Sequence, residues 1–155
     1  MLFSSSKRRP KSGLTQRILV AALAAASIVV LRPAITAAEE GGVAIELNKL
    51  EAKNSDCRAY FVIDNKSDKT YETLKLDFIL FRPDGIIDQR FAVELAPLKA
   101  KKRTVKLFDV ANTSCDEVGS FLINDVMDCK AGGADVSDCL EDLAVSSRTD
   151  NELNK

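Results

Sequence analysis

The sequence predicts an all-β fold, an antiparallel β-sandwich, and three observations carry that prediction. Residues 72–95 (ETLKLDFILFRPDGIIDQRFAVEL) alternate apolar with polar side chains on two arms around Arg82-Pro83-Asp84-Gly85. Leu74, Leu76, Phe78 and Leu80 recur at period two, and Ile87, Phe91, Val93 and Leu95 line one side of the return. That is the pattern of a β-hairpin with one buried face. Further β-prone runs separated by polar turns flank the hairpin, and a lone hairpin is marginal in water, so these runs must supply more strands. The third observation is size: once a leader is set aside, the chain suffices for one core and not for two.

That leader comes first in the chain. Lys7, Arg8, Arg9, Lys11 and Arg17 form a basic head, followed by 14 apolar or small residues at 18–31 (ILVAALAAASIVVL). A transmembrane helix needs about 20 residues, so the run suits the hydrophobic region of a secretory signal. Thr36-Ala37-Ala38 offers small residues for cleavage after Ala38. Arg8-Arg9 raises a twin-arginine route, but Pro10 follows directly and the usual downstream pattern is missing; an uncleaved anchor is the other alternative. The expected organisation is a signal peptide at 1–38, one domain at 39–145 and a flexible polar tail at 146–155 (SSRTDNELNK). No membrane span is expected after cleavage, and the expected location is periplasmic or secreted.

Removing residues 1–38 takes away six basic residues and no acidic one. This leaves 16 Lys and Arg against 23 Asp and Glu, a formal net charge of −7. Such a balance argues for solubility and against nucleic acid or an anionic membrane as partner.

Along the rest of the chain, residues 43–50 (VAIELNKL) alternate and make a first strand. Residues 57–64 (CRAYFVID) are apolar on both faces, as in a central strand. Asn54-Ser55-Asp56 and residues 65–69 (NKSDK) are turns. After the hairpin, residues 96–102 connect to residues 103–110 (RTVKLFDV), where Val105 and Leu107 alternate with Thr104 and Lys106. Residues 118–126 (VGSFLINDV) offer a last long strand. Asp135 then caps an expected short helix, with Val136, Leu140 and Leu143 as an apolar stripe that covers an edge of the sandwich.

The four cysteines, Cys57, Cys115, Cys129 and Cys139, all follow the leader, and an even count in an oxidising compartment points to two disulfides. Three pairings are possible. The favoured one joins Cys129 to Cys139, closing a short Gly-rich excursion, and Cys57 to Cys115, tying an early strand to the start of a late one. Each bridge is worth about 3–4 kcal/mol in the chain-entropy model. Zinc would need four reduced thiolates, and no C-x-x-C pair is present.

Residues 43–110 also resemble the small exported immunoglobulin-like domains of the FxLYD type, and uncharacterised periplasmic proteins of alphaproteobacteria. The residues that carry the resemblance are Val62-Ile63-Asp64-Asn65, the stretch from Leu76 through Phe78, Phe81 and Pro83 to Gly85, and Ala96-Pro97-Leu98 before Thr104-Val105-Lys106. The resemblance implies an immunoglobulin-like sandwich in the cell envelope, with no catalytic residues to carry over. With the predicted helix added, the expectation is an immunoglobulin-like antiparallel β-sandwich with a short disulfide-pinned C-terminal helix.

The chemistry is mostly subtractive. The chain has no histidine, which removes the commonest general base and transition-metal ligand. No Gly-rich phosphate loop appears, and no cofactor, metal or enzymatic activity is expected. Three surfaces remain. Lys99, Lys101, Lys102, Arg103 and Lys106 place five positive charges within eight residues, suited to an acidic partner or to protecting a strand edge. Ile79 and Phe81, with Tyr60 and Val62, lie on second faces that a two-sheet sandwich does not bury; the helix covers them or they form a contact patch. Asp125, Asp128, Asp135, Asp138, Glu141 and Asp142 form an acidic cluster without a regular calcium loop. The expected function is a non-catalytic protein-binding or accessory module of the cell envelope, with an unidentified envelope protein as partner. The alternative is a small-ligand or cation-binding protein using the acidic cluster.

Overall fold

A computed structural model describes residues 42–155; the expected signal peptide at 1–38 lies outside the described residues. Alternation produces strands where the sequence places them: β1 (Val43–Lys53), β2 (Asp56–Asn65), β3 (Tyr71–Phe81), β4 (Ile87–Glu94) and β5 (Lys102–Val110). A 3₁₀ turn at Cys115–Glu117 leads into β6 (Ser120–Ala131), followed by β7 (Ala134–Asp135), β8 (Leu143–Ser147) and β9 (Glu152–Asn154). They form a sheet of order β5-β2-β1-β8 and a sheet of order β4-β3-β6-β7, with β9 also on β6. The hairpin is the β3–β4 pair, closed by Gly85 N–H on the Arg82 carbonyl at 2.9 Å, with Gly85 at φ 82°.

Each sheet buries one face. Cys57, Ala59, Phe61 and Ile63 point inward from β2, and Leu74, Leu76, Phe78 and Leu80 from β3. The two layers meet at Phe61, whose ring stands edge-on to Phe78 at 5.7 Å and to Phe121 of β6 at 6.0 Å, the favoured aromatic geometry. Both favoured disulfides are present, Cys57–Cys115 and Cys129–Cys139.

A buried amide ties the loops at one end. Asn65, fully buried, donates through Nδ2 to the carbonyls of Lys69, Leu98 and Lys99 at 2.8, 3.1 and 3.1 Å. Its Oδ1 accepts from the Ser67 N–H and hydroxyl. The β2–β3 turn and the connection after β4 are therefore held by one side chain.

The expected C-terminal helix is not formed; among the described residues there is no α-helix. Gly132 and Gly133, at φ 62° and 79°, fold β7 back onto β6, pairing Asp135 with Lys130. Leu143 begins β8, which pairs in parallel with Val43–Leu47 of β1. Two causes combine. Asp, Val, Ser and Cys are poor helix formers, and a helix of two turns gains few internal hydrogen bonds. The free edge of β1 offers a full ladder instead. Val136, Leu140 and Leu143 still pack on the core, but from turns and a strand.

The expected polar tail at 146–155 is corrected too. Ser146 and Ser147 belong to β8, and β9 pairs in parallel with β6, Leu153 opposite Phe121. Leu153 is buried, Arg148 N–H donates to the Leu47 carbonyl, and Asn151 Nδ2 donates to the carbonyls of Val118 and Gly119. The chain thus crosses from one sheet to the other and closes one side of the sandwich, so the domain extends beyond residue 145. One apolar residue in ten was too weak a signal to mark a strand.

Leu153→Ala should lower unfolding free energy by about 2 kcal/mol or more, as for a buried leucine; urea denaturation unchanged from wild type would return the segment to a free tail. Asn65→Ala removes from a buried site the bonds to the Lys69, Leu98 and Lys99 carbonyls and to Ser67, and should cost about 2–3 kcal/mol in the same titration.

Candidate functional site

Both sheets leave apolar side chains exposed: Ile87 of β4, Met127 of β6 and Ile86 of the hairpin turn at 57%, 56% and 59%, and Val105 and Leu107 together on β5, the edge of the four-stranded sheet. On β5, register sets the phase: Val110 lies opposite Cys57, Phe108 opposite Ala59 and Lys106 opposite Phe61, so these three share the inner side. Val105 and Leu107 therefore face outward, 51% and 47% exposed. The same register sets Val105 beside Val62 and Leu107 beside Tyr60, joining four apolar side chains in two adjacent rows. The sequence marks Tyr60 and Val62 as second-face residues. It reads Val105 and Leu107 as the apolar set alternating with Thr104 and Lys106, but β5 has apolar residues on both parities, and the ladder gives the inner side to Phe108 and Val110 and turns Val105 and Leu107 outward.

Ion pairs frame these rows. Arg58 grips Asp109 with two bonds, Nε to Oδ1 at 2.6 Å and Nη2 to Oδ2 at 3.0 Å, and Lys53 Nζ adds a third at 2.8 Å. The Arg58 guanidinium, then the Lys53 ammonium, hold the Asp109 carboxyl far below the usual carboxylate range. Arg103 pairs with Asp64 at 2.9 Å, Arg148 with Glu46 at 2.9 Å, and Lys49 with Glu51 at 3.3 Å. The Tyr60 hydroxyl donates to Glu51, and that bond, ahead of Lys49, lowers the Glu51 pKa. The face is apolar in its middle and charge-balanced at its borders.

The five basic residues do not form one surface. Arg103 points outward and is paired with Asp64, whereas Lys102 and Lys106 lie on the inner side of the same edge strand. Lys106 Nζ donates to the Ala96 carbonyl at 3.2 Å, and Lys101 to the Lys66 carbonyl at 2.7 Å with Asp68 at 3.2 Å. Lys99 is exposed on the preceding connection.

Ile79 and Phe81 lie on the outer face of the other sheet, so they cannot share a contact with the basic residues of β5. Both are half-buried without any helix over them: Ile79 sits between Arg90 and Leu122, and Phe81 between Ile87 and Ser120. Beside them Asp77 is only 3% exposed. Arg90 covers it with bonds of 2.8 and 2.9 Å, and Asn124 Nδ2 adds one of 2.7 Å. Arg90 first, then Asn124, hold the Asp77 carboxyl below its ordinary value against the opposing effect of burial.

The acidic residues are dispersed. Asp125 accepts from the Val126 N–H, Asp135 faces Lys130 at 3.7 Å, and Asp138 takes the Ser137 hydroxyl. Among the described residues no three His, Cys, Asp or Glu side chains converge as ligands of a metal ion. An open groove of about 430 Å³ runs between β4 and β5, lined by Phe91, Val93, Leu107, Phe108 and Val110. Its polar end is already occupied, because Gln89 Nε2 donates to the Ala111 carbonyl and to Thr113 Oγ1. Among the described residues no helix is long and apolar enough to cross a membrane.

No protein-family model matches the sequence, and no curated protein matches it. Among solved structures, the fold is similar to that of IrmA from Escherichia coli, with a TM-score of 0.50 and 14% identity, covering 67% of this chain and 90% of that one. A DUF1425 family member from Shewanella sp. pv-4 aligns with a TM-score of 0.38 and 14% identity, covering 61% of this chain and 81% of that one. At this identity the likeness to IrmA is one of fold alone.

Asp77 and Asp109 titrate below their unfolded values of about 3.9, so their stabilisation is complete above about pH 5 and is lost progressively as pH falls through the unfolded value toward the folded ones. Thermal midpoints should therefore hold from pH 7 to about 5 and drop below about 4. Arg90→Gln should lower the midpoint at neutral pH and flatten the acid limb; an acid limb identical to wild type would mean that the Asp77 pair does not contribute.

Proposed function

We propose that this chain is a non-catalytic protein-binding module of an exported compartment, and that its contact is the outer face of the four-stranded sheet. The carrying observation is the pair Val105 and Leu107, half exposed beside Tyr60 and Val62 and bordered by paired charges. An apolar centre with a polar rim is the anatomy of a protein interface. Arg58 and Arg103 each already face a carboxylate, which favours a protein surface of mixed charge over a polyanion. The two disulfides suit an oxidising, exported environment. Two sheets of antiparallel main strands, together with the FxLYD-type resemblance, support taking the sandwich as immunoglobulin-like and the compartment as the cell envelope.

The test is retention of envelope proteins by the purified, oxidised protein at low and moderate salt, with Leu107→Asp and the double variant Lys101→Gln/Lys102→Gln as comparisons. A specific protein retained by wild type and by the lysine variant, and lost with Leu107→Asp, is the expected result. Loss with the lysine variant alone would move the contact to the basic connection. Retention equal in all three would overturn the proposal.

A further inference from the structure

Strand β5 is the edge of its sheet, hydrogen-bonded to β2 on one side only. Its outward side chains run Arg103, Val105, Leu107, Asp109, that is positive, apolar, apolar, negative. Reversed, this series is its own complement. We infer that β5 pairs antiparallel with β5 of a second copy of this chain, about a two-fold axis at Lys106. This inference rests on reading β5 as part of the contact surface, and it names a second copy of the chain as the occupant of the strand's free edge.

Register selects that arrangement among the alternatives. Residues directly opposite in a ladder share a face, so the outward set must meet the outward set. With Lys106 at the axis, Arg103 faces the partner's Asp109 and Val105 faces the partner's Leu107, with the same two pairs repeated by symmetry. A shift by two residues in either direction sets Arg103 against the partner's Leu107, or Val105 against the partner's Asp109, and loses both ion pairs. The same axis is the midpoint of Lys102–Val110, so the charge-matched register also overlaps the two strands from end to end.

The pairing continues patterns already present within one copy. A row across the joint reads Glu51, Arg58, Asp109, the partner's Arg103, the partner's Asp64, with charges alternating throughout. The neighbouring row reads Tyr60, Leu107, the partner's Val105, the partner's Val62, so the apolar rows of both copies fuse. A two-fold contact of this kind is isologous and closed, and it removes two free edges at once. One group opposes it: Lys106 meets the partner's Lys106 on the inner side of the strand. Its Nζ is drawn aside to the Ala96 carbonyl at 3.2 Å, yet two ammonium groups at the axis weaken the pair. Lys106 thus acts as a brake that sets how readily the copies join.

Sedimentation velocity of the oxidised protein over a range of concentrations tests this, with thermal midpoints as a check on folding. A concentration-dependent monomer–dimer equilibrium is expected. Lys106→Thr should tighten it by about tenfold or more, because like charges at the axis are removed. Leu107→Asp should weaken it by at least about tenfold while leaving the thermal midpoint near that of wild type. If wild type and Lys106→Thr both remain monomeric at every concentration, or if the dimer is indifferent to Leu107→Asp, the inference is overturned. A monomer that still retains an envelope protein in a Leu107-dependent manner would sink this inference and leave the protein-binding reading standing. A dimer with these responses that retains nothing else would support the self-pairing and remove the separate partner.

Discussion

The contact on which the structure depends is the meeting of Phe61 with Phe78 and Phe121 between the two sheets. It fixes one inward parity for β2, β3 and β6. Every strand paired to these then inherits its phase through the ladder. That is why Leu74, Leu76, Phe78 and Leu80 are buried together, and why Lys106, opposite Phe61, turns to the inner side. A pleated strand has two faces and the sandwich covers one, so each residue buried here commits its neighbour to the outside.

The two sides of the sandwich are finished differently. On one side β8 and β9 carry the chain from sheet to sheet, with Asn151 and Leu153 fastening the crossing. On the other, β4 and β5 are both edges and the groove between them stays open. The disulfides follow the same logic: Cys57–Cys115 fastens the start of β2 to the turn before β6, and Cys129–Cys139 anchors the crossing segment near its origin. Val105 and Leu107 lie exposed toward this open side.

Charge is arranged around this frame rather than concentrated. The lysine-rich stretch looks like a patch in one dimension because its five basic residues fall within eight positions. In space the pleat sends Arg103 to one face and Lys102 and Lys106 to the other, and carboxylates or carbonyls take up most of the positive groups. Ile79 and Phe81 meet the opposite outcome: their shared parity was legible, but the neighbours that half-bury them, Arg90 and Leu122 beside Ile79 and Ile87 and Ser120 beside Phe81, are brought there only by strand pairing.

By itself the sequence determined the all-β class, the β3–β4 hairpin and its turn, an even set of four cysteines and the lack of histidine chemistry. These rest on spacing of side chains within one segment, or on composition, and no neighbour is needed to read them. Tertiary structure alone decided the phase of β5 and the fate of the last twenty residues. Residues 102–110 carry apolar side chains on both parities, so the covered set is chosen by what lies across the ladder, here Cys57, Ala59 and Phe61. The stripe of Val136, Leu140 and Leu143 fits a helix as a pattern, but a short weak helix yields to the free edge of β1, whose hydrogen bonds exist only once β1 is in its sheet.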